Sequence, residues 1–402
     1  MELAIRLRLS LMMFLQYFVW GAWFVPFATY LTHHGLQDSV GTIYSAQGWA
    51  AIAAPLFVGA IADRYFSAQK VMGILHLFSG LLLFLLSTLS AGAGVIFLGT
   101  LGVLLAYMPT IALSNAVALN VVTDSEKQFP AIRVFGTIGW IAAGLIVGMA
   151  LPGDAERTAQ PLQLAAAVSI AYGLYAFTLP ATPPRAGQGR VSIASLLGLD
   201  AIRTADRGFW ILILCSMLMM IPFSFYNVYA NPFLDDIGVT DPAATQTIGQ
   251  VSEVGFLLLL PLFFRWVGIK GVLFIGMAAW AVRYVIFANG FTADGPIEPL
   301  IYLGLALHGV GFDFVFVAAT IWIGERFPAD SRSRGQSFLA LMTWGVGYLI
   351  GSNLANAVQV GAGAGTGPHW HSFWLLPAGF AAVTALVFLL LFRDRKGRAS
   401  GA

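Results

Sequence analysis

Residues 129–148 read Phe-Pro-Ala-Ile-Arg-Val-Phe-Gly-Thr-Ile-Gly-Trp-Ile-Ala-Ala-Gly-Leu-Ile-Val-Gly, an apolar run holding one cation, Arg133. About 200 residues later the pattern returns. Phe327-Pro328 precedes a second apolar run that carries Gly347 and Gly351, as the first carries Gly144 and Gly148. Both glycine pairs have the small-xxx-small spacing that lets helix backbones approach closely in a membrane. The joint between Arg64 and Lys70 likewise has a counterpart between Arg265 and Lys270. The chain therefore reads as a duplicated set of long apolar helices.

Composition agrees. Of 402 residues, 58% are hydrophobic and only 10% charged, with a mean hydropathy of +0.80. Soluble domains have about 25% charged residues, so a soluble multidomain enzyme is excluded, as is a disordered chain. The lone cysteine, Cys215, excludes a disulfide framework and a thiolate metal site. A net charge of +2 gives no reason to expect nucleic acid. A helix needs about 20 apolar residues to cross a bilayer. Twelve such spans are expected, over about 5–32, 40–62, 69–90, 94–122, 129–151, 160–180, 207–233, 243–266, 271–290, 297–326, 336–360 and 371–392. The first run is too long for a signal peptide and has no small-residue cleavage site.

Lys and Arg mark cytoplasmic loops. With the N-terminus inside, eighteen of the 21 fall on that side. Arg157 alone lies in an outer loop, and Arg133 and Arg283 lie within spans. Both termini are thus expected in the cytoplasm, the basic tail 393–398 serving as a topogenic signal. The longest polar connection, 181–206, separates a six-helix bundle over 1–180 from a second over 207–402. An even-numbered repeat keeps its orientation, so the halves are parallel repeats. This is the all-α architecture of major facilitator transporters, with a site expected between the halves near the midplane. The loop Gly59-Ala-Ile-Ala-Asp63-Arg64 resembles that superfamily's signature loop.

Charged groups inside spans point to the site, since each costs at least ~2.5–3.5 kcal/mol on a lone helix. Glu253 and Asp313 fall about halfway along spans 8 and 10, and Arg133 lies one turn into span 5. Gln250 shares a face with Glu253, as Thr137 and Trp140 do with Arg133. His308 and Phe312 are one turn apart beside Asp313, and Ser224 and Asn227 follow Pro222 on span 7. Such a set suits a polar, ring-bearing solute. Gln16, Trp20 and Trp23 form a similar stripe on span 1, more simply read as packing. Arg283 is read as structural, because nothing polar shares its face nearby. His33 and His34 are expected at the surface. His369 and His371 have no third ligand for a metal, and the Gly-rich stretch 361–367 is expected to be a flexible outer loop.

Six stretches carry a more specific resemblance: Phe14-Leu-Gln-Tyr-Phe-Val-Trp-Gly-Ala-Trp23, Ala106-Tyr-Met-Pro-Thr110, Phe129–Gly139, Leu196-Leu-Gly-Leu-Asp200, Gln250-Val-Ser-Glu253 and Gly311-Phe-Asp-Phe314. In this order, over nearly the whole chain, they resemble the bacterial nucleoside:proton symporters of the major facilitator superfamily. The resemblance implies nucleoside import across the inner membrane, driven by the proton gradient without a bound cofactor. It implies that Arg133, Thr137, Asn227, Gln250, Glu253, Phe312 and Asp313 hold the nucleoside. Ser224 departs from the longer amide, and His308 from the tyrosine, of the family's best-known members. Proton coupling is expected of Glu253 or Asp313, with Arg133 nearby. Protons, the nucleoside and membrane lipids are the expected partners, and no oligomer is implied. Rival readings are a carrier of another polar metabolite, such as a sugar or nucleobase, and a non-transporting membrane receptor. No nucleophile elbow, metal-ligand spacing or nucleotide-binding loop speaks for an enzyme or an ATP-driven pump.

Overall fold

The computed structural model describes residues 2–57, 66–183, 193–199, 205–327, 332–361 and 369–394. The signature-like loop 59–64, Asp200, Pro328, most of the Gly-rich stretch and the end of the basic tail lie outside the described residues. Apart from connecting loops and one short hairpin of β1 (Phe291–Thr292) and β2 (Gly295–Pro296), the described chain is helical. Nine of its helical stretches are long and apolar enough to cross a membrane.

The helices fall into two compact units. The first comprises Met1–Val191 together with Asn227–Thr247, and the second Ser192–Tyr226 and Ile248–Ala402. The first contains α1 (Leu3–Phe24), α2 (Phe27–His33), α3 (Val40–Tyr44), α4 (Ala46–Phe57), α5 (Ala68–Thr88), α6 (Ala93–Val121), α7 (Ser125–Leu145) and α8 (Gln160–Ala176). The expected span 1 is thus two helices, parted at Val25-Pro26, and the expected span 6 closes at Ala176 rather than 180. Proline lacks the N–H that would continue the ladder, which explains the break at Pro26.

The second unit contains α9 (Ile193–Leu196), most of α10 (Arg207–Asp236) and α11 (Pro242–Asn289), then α12 (Glu298–Phe312), α13 (Ala318–Arg326), α14 (Arg332–Ala340), α15 (Tyr348–Gly361) and α16 (Trp370–Leu391). Expected spans 8 and 9 run together in α11, broken only at Gly268, whose φ of 64° and ψ of 177° lie outside the helical region. Glycine adopts that conformation without a Cβ penalty, so Arg265 and Lys270 face a one-residue joint. Wide π-type turns interrupt the helices at Ile146–Ala150, Asp313–Val317 and Leu341–Gly347. Such insertions frequently accompany functional sites, and one begins at Asp313.

Packing inverts the pattern of a soluble protein. On α5, Ile74, Phe78, Leu81, Phe84 and Leu85 are exposed, while Gly73, His76, Ser79 and Gly80 on the other face are buried. An apolar stripe turned outward and small or polar residues turned inward is the arrangement of a helix bundle in lipid. Its closest approach is to α8: a methyl added at Gly73 would lie 2.9 Å from the Gly173 carbonyl oxygen.

The glycine pairs do what their spacing implies. A methyl at Gly148 would lie 2.9 Å from the Ala244 nitrogen, and one at Gly144 3.0 Å from the Ala243 carbonyl oxygen. In the second unit, a methyl at Gly351 would lie 2.8 Å from Ile221 Cα, and one at Gly347 2.8 Å from the Met217 carbonyl.

Candidate functional site

The second unit brings Glu253, His308, Phe312 and Asp313 into one neighbourhood because α11 and α12 touch at backbone distance. Gly309 makes this possible: a methyl there would lie 2.6 Å from the Glu253 nitrogen. The Gly309 N–H donates to Ser252 Oγ over 3.0 Å, closing the contact. His308, one residue before, then presents Nε2 at 3.8 Å from Glu253 Oε2. His308 is 5% exposed and Asp313 1%, whereas the Glu253 side chain retains 27%. Neither carboxylate oxygen of Asp313 has a hydrogen-bond partner among the described residues. A buried polar group left unpaired costs on the order of 1–3 kcal/mol, more when charged. Burying Asp313 in this way therefore works against the stability of the fold.

Arg283, read from the sequence as structural, meets a polar partner on a neighbouring helix: Nη1 stands 3.1 Å from His308 Nδ1. Its guanidinium lies over the Tyr226 ring, 3.4 Å from the centroid, with Trp280 and Phe287 at 5.2 Å. It is 0% exposed. No periodicity argument could find this contact, because Arg283 and His308 are on different helices.

Aromatic rings cover the same region. The Phe312 centroid is 5.6 Å from His308, 6.1 Å from Phe223 and 6.3 Å from Trp344. Phe223, Trp344, Tyr226 and Arg283 were not among the expected site residues. In a chain with 13% aromatics, nothing marks these rings out before folding. Gln250 is half-buried on the Glu253 helix. Ser224 is 0% exposed. Its hydroxyl donates to the Met220 carbonyl over 2.8 Å, and it lies beside Gly351. Its proton is committed to its own helix, so it contributes chiefly packing.

The first unit holds Arg133, Thr137 and Trp140, all half-buried on α7, and Asn227, half-buried near the end of α10. The Arg133 guanidinium stands 4.1 Å from the Tyr17 ring centroid. Gly136 leaves room for that stack, since a methyl there would meet Tyr17 Cδ2 at 2.6 Å. Trp140 packs edge-on to Trp20 at 5.3 Å, and Trp20 lies 5.6 Å from Tyr107.

Deeper in this unit lies a polar cluster that the sequence reading missed. His76 is 0% exposed, with Nδ1 3.1 Å from Ser169 Oγ and Nε2 3.2 Å from Gln16 Oε1. Gln16 donates to Thr110 Oγ1 over 2.8 Å and accepts from the Tyr172 hydroxyl over 3.1 Å. The only advance signal was Gln16 itself, an amide in the middle of span 1.

A third polar group lies in the loop between α7 and α8. Glu156 accepts from Asn231 Nδ2 over 2.7 Å and from the Ala243 N–H over 2.9 Å. Burial pushes its carboxyl up to about 7, against the opposing effect of those two hydrogen bonds. Arg157 Nε and Nη2 donate to Asp235 Oδ1 over 3.0 and 2.9 Å, and His33 Nε2 is 3.0 Å from Asp235 Oδ2. His33, expected simply at the surface, is thus tied down. His371 Nδ1 faces the Ala288 carbonyl at 2.8 Å. Among the described residues no cluster suits a metal.

Comparison with known proteins supplies the family. A family model described as "Nucleoside H+ symporter" matches residues 1–397. The putative nucleoside transporter YegT of Escherichia coli K12 is 39% identical over 400 residues, 96% of this chain and 93% of that protein. The xanthosine permease of the same organism is 33% identical, covering 97% of this chain and 96% of that one. The crystal structure of the nucleoside transporter NupG superposes with a TM-score of 0.86 at 30% identity, covering 97% of this chain and all (100%) of the other. The fold is accordingly NupG-like and of the major facilitator type, and the chain is a multi-pass membrane transporter that belongs to the nucleoside H+ symporter family.

Proposed function

We propose that this protein imports nucleosides across the inner membrane together with protons, by alternating access. The observation that carries the reading is the Glu253–His308–Asp313 group: two acids in an apolar unit, one with neither oxygen hydrogen-bonded among the described residues, in a chain of this family. Carboxylates within a bilayer are expensive and mark ion and substrate paths. A nucleoside presents ribose hydroxyls and an amide-edged base. Glu253, Gln250, Asn227 and Asp313 are the hydrogen-bonding set. Phe312 and Trp140 offer ring faces for the base. Arg133 and Thr137 are supporting donors, and His308 completes the set, with Ser224 behind it.

Glu253 and Asp313 are the coupling carboxylates. Their charge changes as they meet outside water and then the cell interior, with Arg133 favouring release. The gradient is the sole energy source, so no cofactor enters the cycle. Twelve crossings with both termini cytoplasmic, two bundles over 1–180 and 207–402, and a monomer in contact with lipid complete the reading. The strong Lys and Arg bias supports the orientation.

The test is uptake of radiolabelled uridine and xanthosine by proteoliposomes. An inward proton gradient drives accumulation, and unlabelled nucleosides compete while sugars do not. Accumulation that ignores the gradient, or that sugars suppress, rejects the proposal.

A further inference from the structure

Arg283 is a permanent cation enclosed by rings, and it contacts one nitrogen of His308. Guanidinium groups only donate. With Arg283 Nη1 at 3.1 Å from His308 Nδ1, Nδ1 must present its lone pair. The ring proton then resides on Nε2, the nitrogen that faces Glu253 Oε2 at 3.8 Å. Protonating Nδ1 would set N–H against N–H and place two like charges in contact, which disfavours the second charge. The other side chains described as packing on His308 are aromatic rings, Phe223 on α10 among them at 6.5 Å. Tyr226 on α10 lies at 5.3 Å and Trp280 on α11 at 6.0 Å, ring to ring, and Phe312 on its own helix at 5.6 Å. Among the described residues, the charged groups that face it are Arg283 and Glu253.

We propose that Arg283 is a positioning residue of the coupling site: it locks His308 as the neutral Nε2–H tautomer aimed at Glu253, and so keeps this histidine from carrying the transported proton. The two carboxylates, Glu253 and Asp313, then titrate beside a fixed cation and a fixed donor. This rests on the reading of Glu253 as a coupling carboxylate, but the tautomer itself can be tested without any substrate.

The full chain is labelled with ¹⁵N-histidine and placed in lipid nanodiscs. The protein has six histidines, and the His308 resonances are those lost in His308→Gln. The expected wild-type pattern is a protonated Nε2 and a bare Nδ1, unchanged between about pH 5.5 and 8, the range in which an ordinary histidine titrates. A ring proton on Nδ1, or an imidazolium forming in that range, overturns the proposal. In Arg283→Leu, the Nε2–H pattern of His308 is no longer enforced and the pH profile of nucleoside uptake changes, and Arg283→Lys restores both. A folded Arg283→Leu protein with the wild-type spectrum and pH profile also overturns it. If that variant does not fold, the wild-type spectrum decides alone. Failure of nucleoside uptake with the expected spectrum rejects the substrate reading and leaves the lock standing.

Discussion

His76 and His308 are both buried histidines, 0% and 5% exposed, one in each unit, and their neighbours differ in kind. Ser169 and Gln16 beside His76 can each donate or accept: a hydroxyl rotates, an amide turns over. That cluster closes on itself, with Thr110 and Tyr172 taking up the remaining bonds. His308 sits between Arg283, which can only donate, and Glu253, which when ionised can only accept. Asp313 and two of the Arg283 nitrogens have no hydrogen-bond partner among the described residues. An adaptable network stabilises a bundle whatever its protonation. A directional one with unpaired ends is costly in the resting protein and suited to a changing guest or charge.

The sharpest way to break this contrast is to neutralise the second cluster. Asp313→Asn and Glu253→Gln should each reduce gradient-driven uptake at least ~100-fold, the scale on which a lost proton-transfer group acts. Full accumulation by both variants would remove the distinction. Conversely, His76→Leu should lower stability by about 2–4 kcal/mol, because Gln16 and Ser169 lose a buried partner. The folded fraction should still accumulate nucleoside with the gradient. Chemical unfolding in detergent, with uptake normalised to folded protein, checks both halves of that statement.

Smaller effects test the packing that brings each cluster together. Gly351→Ala should cost about 1–3 kcal/mol through overpacking, since the new methyl meets Ile221 Cα and Ser224. Gly255→Ala, with nothing within 4 Å, should be neutral in the same unfolding assay.

A pH effect is expected of Glu156, a buried acid outside both clusters. Its folded carboxyl titrates near 7 against an ordinary 4.5, so the folded state holds the proton more tightly than the unfolded one. The stability this contributes is fully present below about pH 4.5 and is lost as the pH rises through about 7. Melting temperature should fall by a few degrees over that window, and Glu156→Gln should flatten the fall. An identical slope in the variant would place the titration elsewhere.

Much of this was legible before folding. Long apolar runs, the offset of about 200 between Arg64 and Arg265, and the paired glycines fix a duplicated helical membrane protein, because a bilayer accepts few alternatives to long helices. Carboxylates in mid-span stood out for the same reason: Glu253 and Asp313 are conspicuous where almost nothing else is charged. What the chain alone hid were meetings between helices. Arg283 looked solitary because its partner is 25 residues away on another helix. His76 was silent because its cluster draws on four helices.

The order of residues alone establishes that the chain crosses a membrane and which acids and cations interrupt its apolar spans, since a lone helix already incurs the cost of each. What those charges face emerges only on folding: Gly309 lets two helices touch, Arg283 points at His308, and Asp313 has no hydrogen-bond partner among the described residues. Hydrophobic transfer is a property of each residue, whereas the direction of a hydrogen bond exists only once two helices have met.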